Sequence, residues 1–247
     1  MTAPTISEYL SYANLQMAAE AFIRDESTGQ LWDSGDLYIN ALVRGNDHAS
    51  RFVTSEAQKF TEEWEVLDQR ANTATGFSGT LFHNSKTDEL VLSIRSTEFI
   101  DDAARDNQAT NSMEIKPCGW AFGQIDDMEK RYAPLKTAYA QEFAAANNRF
   151  TVTGYSLGRH LATAFNLLRR EDGTSGQTAA TYTFNGAGVG ETTDGATLTQ
   201  VMNEFKHLQA ACTCRSRKKV QYYQKSSCLR LPHKRKRTIS RIKKSPQ

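Results

Sequence analysis

The stretch Phe150-Thr151-Val152-Thr153-Gly154-Tyr155-Ser156-Leu157-Gly158-Arg159-His160-Leu161-Ala162 decides how the rest of the chain is read. Phe150 to Thr153 is a short β-prone run and Gly154 to Gly158 a turn, while Leu157, Leu161, Ala164, Phe165 and Leu168 share one face of a helix. Strand, turn and helix follow in that order. The five residues from Gly154 to Gly158 satisfy G-x-S-x-G, in which a serine occupies a strained strand-to-helix turn that lifts its hydroxyl out of the sheet. Small residues on both sides let that turn close. The helix that begins just after Ser156 brings backbone N–H groups, notably that of Leu157, to where an oxyanion would develop. A bare five-residue match arises often by chance, but here the flanking strand and amphipathic helix are those the motif demands.

Downstream, Ala180-Thr181-Tyr182-Thr183-Phe184 is another β-rich run and Leu198 to about Leu208 a further helix, so strands and helices alternate as in a parallel α/β sheet. Upstream, Gly76 to Phe82 and Leu90 to Ile94 flank a polar turn and predict two antiparallel strands, the second apolar enough to be central. Ile125, Met128, Tyr132, Leu135, Tyr139 and Phe143 form a helical stripe between about residues 119 and 145. At the start, Thr5 and Glu8 have capping-box spacing ahead of Leu10, Ala13, Met17 and Ala21, which predicts a helix over 5–24. A second helix is predicted over 55–70, with Ala57, Phe60, Trp64 and Leu67 on its face, and a long loop between the two. Both helices are expected to serve packing.

Three of these segments together resemble the class 3 lipase-like branch of the α/β-hydrolases, including its bacterial phospholipase-like members, over about residues 70–205. The family's elbow reads like Gly154 to Ala162 except at Arg159, where the family has glycine. Arg95-Ser96-Thr97-Glu98-Phe99-Ile100-Asp101-Asp102 resembles the family's strand end and acidic turn, and Thr183 to Gly190 its strand and loop after the elbow helix. The resemblance implies an α/β-hydrolase-like fold with a mostly parallel central sheet flanked by helices, truncated after the strand that follows the elbow helix. It implies Ser156 as nucleophile, and it assigns the oxyanion hole to Thr97 and Leu157. The activity implied is hydrolysis of carboxylic esters of lipids, of lipase or phospholipase type, through an acyl-enzyme and without cofactor or metal. Its partners would be a lipid or other ester substrate and, transiently, a membrane surface; nucleic acid is not expected, and oligomeric state is left open.

The family's acid and base follow the serine in chain order, the acid after a strand that would fall at about residues 210–225. No acidic residue exists beyond Glu204. Asp194 precedes the family's position and reads as a loop residue beside Gly195, and His207 lies on the helix before the missing strand. His233 belongs to a basic run, His160 rides the elbow helix itself, and His83 and His48 precede the serine with no motif around them. The sequence assigns neither acid nor base and offers only Asp194 and His207 as candidates. Arg159 either narrows the site from the positive end of the helix dipole or points to solvent.

The 247 residues, 39% hydrophobic and 23% charged, suit one medium globular domain rather than a disordered or fibrous chain. No apolar run approaches the about 20 residues that cross a bilayer, and Met1-Thr2-Ala3-Pro4 lacks the regions of a signal peptide. A cytoplasmic protein, or one exported without an N-terminal signal, is therefore expected. The net charge of +2 conceals an asymmetry: Phe205 to Gln247 carry 14 of the 30 basic residues and none of the 28 acidic ones. Residues 1–204 are read as one hydrolase-like domain, with its core from about 70 to 204, and 205–247 as a basic, disordered or frame-shifted tail. A competing reading is a non-catalytic remnant that binds polyanions through that tail. Cys212, Cys214, Cys228 and His233 lack the spacing of a zinc site, and Asp101, Asp102 and Asp106 that of a known cation loop.

Overall fold

The computed structural model describes residues 4–25, 27–46, 51–70, 72–96, 115, 119–186 and 196–213. The chain opens with α1 (Ile6–Glu20), whose first turn is closed by the predicted capping box: Thr5 accepts from the Glu8 N–H at 3.2 Å, and Glu8 accepts from the Thr5 N–H at 2.6 Å. A short helix α2 (Gly35–Arg44) then occupies what the sequence predicted to be loop, because Tyr38, Ala41 and Leu42 make a buried stripe within ten residues. Helix α3 follows (Thr54–Thr61).

The helix predicted over 55–70 is corrected here, because α3 stops at Thr61 and Trp64–Arg70 is strand β1. Trp64 and Leu67 continue the spacing of Ala57 and Phe60, but the exposed pair Glu62 and Glu63 interrupts the apolar face. Beyond them, Trp64 and Val66 are buried on either side of exposed Glu65, and pairing with the next strand satisfies the backbone.

Strands β2 (Gly79–Asn84) and β3 (Glu89–Ile94) form the predicted hairpin. Two helices follow, α4 (Phe122–Ala138) and α5 (Ala140–Ala145), then β4 (Phe150–Tyr155), α6 (Leu157–Glu171), β5 (Thr178–Phe184) and α7 (Leu198–Thr213). Helix α7 crosses the boundary predicted at residue 205, so residues 205–213 are helical rather than tail. Residues 214–247 lie outside the described residues.

The sheet order is β1-β2-β3-β4-β5, with β3 in the middle as its apolar run predicted. It is mixed: β1, β2 and β3 pair antiparallel, while β3, β4 and β5 pair parallel and form the half that carries the elbow. The two-residue period of the strands divides the interior into two cores. Leu81, Leu92 and Val152 face Ile125, Leu161 and Phe165 of α4 and α6. Phe82 and Val91 face the opposite way, against Leu15 and Ala19 of α1 together with Phe60 of α3.

Candidate active site

Ser156 stands between the last residue of β4 and the first of α6, at φ 52° and ψ −114°. That is a left-hand region a serine enters only under constraint, and such strain costs about 1–3 kcal/mol. The constraint is visible on both sides. The Ser156 N–H donates to the Phe184 carbonyl at 3.1 Å, which ties the turn to the end of β5.

The two flanking glycines are required by contact. A Cβ added to Gly154 would stand 2.2 Å from the Gly158 carbonyl oxygen, and one added to Gly158 would stand 2.2 Å from that of Ile94. Both distances fall far inside van der Waals contact with backbone that has no rotamer to yield, so the G-x-S-x-G spacing follows from the packing of α6 onto the ends of β3 and β4. Leu157 is buried, and its N–H belongs to the first helical turn, where no intrahelical acceptor exists. Ser156 is half-buried, and its neighbour Tyr155 is exposed.

Behind the elbow, His160 is fully buried. Its Nε2 accepts the Ala121 N–H at 3.1 Å and its ring packs 5.2 Å from that of Trp120. That ring nitrogen is committed to joining α6 to the start of α4, as expected of a histidine on the serine's own helix. Arg159 is exposed and lies over the backbone of Gly186, its Nη1 donating to the Gly186 carbonyl at 3.4 Å. It thus points along the protein surface past the end of β5.

Of the other sequence candidates, two histidines lie within the described residues. His207 is exposed on α7. His83 sits on β2 beside Glu65 and Asp88, 3.5 and 3.6 Å away, near the hairpin end of the strands. Thr97, Asp194, His233 and His48 lie outside the described residues, as do Asp101, Asp102 and Asp106. Among the described residues, no group of three or more His, Cys, Asp or Glu could hold a metal ion. A cavity of about 320 Å³, lined by Glu89, Asn147, Arg149 and Ala179, opens at the opposite ends of β3, β4 and β5 from Ser156. Sites in open α/β sheets form at the carboxyl ends of the strands, which is where Ser156 is.

One buried group near the site was missed by sequence reasoning. Glu20, the last residue of α1, is 3% exposed, and its Oε1 accepts the Ser96 N–H at 2.9 Å. The same oxygen accepts from Gln16 Nε2 at 2.9 Å, and Gln16 Oε1 accepts from the Ser93 hydroxyl at 3.1 Å. Burial pushes the Glu20 carboxyl above its ordinary value, against the opposing pull of the Ser96 N–H and of nearby Arg95. The signal was present: a glutamate among Ala18, Ala19 and Ala21, one helical turn after Gln16 on a face otherwise apolar.

No family model matches the sequence, and the comparison with curated proteins finds no match. Among solved structures, the chain is similar to a lipase from Rhizopus microsporus var. chinensis, with a TM-score of 0.45 and 18% identity over 74% of this chain and 58% of that one. Lipase II from Rhizopus niveus gives a TM-score of 0.43 and 16% identity, covering 73% of this chain and 63% of that one. A Yarrowia lipolytica lipase gives 0.44 and 15%, covering 72% of this chain and 58% of that one. The chain therefore spans less than two thirds of the length of each. The fold is α/β-hydrolase-like. The chain's own order of parallel strand, serine turn and packed helix, with a second parallel strand beside them, is the order such a fold requires. Among the described residues, no helix is long and apolar enough to cross a membrane.

Proposed function

We propose that the chain is a serine hydrolase that cleaves carboxylic esters of lipids through an acyl-enzyme on Ser156. The observation that carries this reading is the backbone of Ser156, held at φ 52° between two glycines that admit no side chain. A serine needs no such strain for packing, and a turn of this shape serves to present its hydroxyl.

In the proposed reaction the Ser156 oxygen attacks the ester carbonyl and gives up its proton to a base. The carbonyl oxygen becomes an oxyanion that receives hydrogen bonds from the Leu157 N–H and, by resemblance to the family, from Thr97. Collapse expels the alcohol with a proton, and water then releases the acid by the reverse sequence. The positive end of α6 favours charge developing at that oxygen.

The test is turnover of p-nitrophenyl butyrate by the full chain and by Ser156→Ala. The reading expects hydrolysis by the wild type and a fall of about 10³-fold or more in the variant. Release of fatty acid from triacylglycerol emulsions against phosphatidylcholine vesicles then separates lipase from phospholipase action. A Ser156→Ala chain as active as the wild type contradicts the reading.

A further inference from the structure

We propose that Glu20 is a positioning residue for acyl transfer at Ser156, gripping the backbone of Ser96 and so holding the end of β3 in line with the elbow. The proposal rests on the Ser156 reading and adds a residue to it from a different part of the chain.

The end of β3 is held from both faces of the sheet. On one face, Gly158 lies against the carbonyls of Ile94 and Arg95, where an added Cβ would stand 2.2 and 3.0 Å away. On the other, Glu20 takes the Ser96 N–H and Gln16 takes the Ser93 hydroxyl, so two residues one turn apart on α1 bind one residue within the strand and one just past its end. Arg95, between them, is fixed as well. Its N–H donates to the Ser78 carbonyl at 3.1 Å, its Nη2 donates to Asn72 Oδ1 at 2.9 Å, and its guanidinium lies 5.0 Å above the Phe22 ring.

A carboxylate buried to this degree is costly, and burial alone would favour an alanine like those beside it. What the carboxylate supplies is an acceptor for the Ser96 N–H, which fixes the strand end that packs against Gly158, one residue after the Leu157 N–H proposed as an oxyanion donor. Displacing a transition-state donor by about 1 Å costs about 100-fold in rate, far more than the same movement costs in stability.

The experiment compares the full wild-type chain with Glu20→Gln, Glu20→Asp and Glu20→Ala. Steady-state hydrolysis of p-nitrophenyl butyrate is measured together with hydrogen exchange at the Ser96 amide. Glutamine keeps an oxygen at the same reach, whereas aspartate keeps the charge but withdraws the oxygen by one methylene. The proposal expects Glu20→Gln to retain kcat within about 3-fold and Glu20→Asp to lose about 10- to 100-fold, with KM nearly constant and faster exchange at Ser96. Glu20→Ala should lose at least as much as Glu20→Asp, and if it does not fold the ranking of the other two still decides. A folded Glu20→Asp with the kcat of Glu20→Gln or better overturns the proposal, as does unchanged Ser96 exchange. A wild-type chain that does not turn over the ester contradicts the Ser156 reading itself, whereas an active wild type with the wrong ranking contradicts only Glu20.

Discussion

The two faces of the sheet hold the same strand end by opposite means. On the side of α4 and α6, backbone meets backbone through Gly154 and Gly158, and no side chain intervenes. On the side of α1, buried amides and a carboxylate reach across: Glu20 to Ser96, Gln16 to Ser93, and Gln69 to the chain that leaves α1. The difference teaches where tolerance lies. A contact between backbones fails with one added methyl, whereas a contact through a long polar side chain survives any replacement that keeps its hydrogen bonds.

Gly158→Ala should therefore be among the most damaging small changes in the fold. Its Cβ would stand 2.2 Å from the Ile94 carbonyl oxygen, and the expected cost is about 3 kcal/mol in urea unfolding. Gly176→Ala is the control, since nothing lies within 4 Å of the position of its Cβ, and it should change stability by less than about 0.5 kcal/mol. Equal effects from the two would dissolve the contrast between the faces.

On the other face, Gln69 accepts the Ile23 N–H at 2.8 Å and donates to the Ala21 carbonyl at 2.8 Å, both buried. Gln69→Ala strands that pair and should cost about 1–3 kcal/mol, while labelling of Ser156 per folded molecule stays unchanged. Loss of labelling greater than loss of folded protein would mean that this part of the α1 face reaches the site directly.

The smallest effect sharpens the comparison at Glu20. Its carboxyl is raised above the ordinary 4.5 because burial disfavours the charge. The folded protein thus holds a proton there that the unfolded chain has already released, and the stability this contributes is lost as pH rises from 4.5 through the raised value. Glu20→Gln removes that loss, so the difference in Tm between Glu20→Gln and wild type should grow in favour of the variant over that interval. A difference that shrinks with rising pH would mean that the charged carboxylate is the form the fold prefers.

The elbow was legible because its signals are local: β-prone residues, two glycines around a serine and a helical stripe, all within 20 residues. The β2–β3 hairpin and the central place of β3 were legible for the same reason. Strand β1 was not, since Trp64 and Leu67 also fit the spacing of the helix before them, and only pairing with β2 selects the extended form. Helix α2 was hidden by its shortness and by the Gly, Asp and Asn residues around it. The acid and base stay unassigned, because Asp194, His48 and His233 lie outside the described residues, His83 sits near the hairpin end of β2, His160 joins α6 to α4, and His207 is exposed on α7. Glu20 escaped for a different reason: its partner is 76 residues away, and only the lie of α1 across the sheet brings them together.

The central claim is that the strained turn makes Ser156 a nucleophile. Intact-mass measurement of the full chain after exposure to a fluorophosphonate, with peptide mapping and Ser156→Ala alongside, addresses it directly. The account predicts a single adduct on Ser156 that is absent from the variant. A folded wild-type chain that gains no mass, or an adduct that persists in Ser156→Ala, would contradict it.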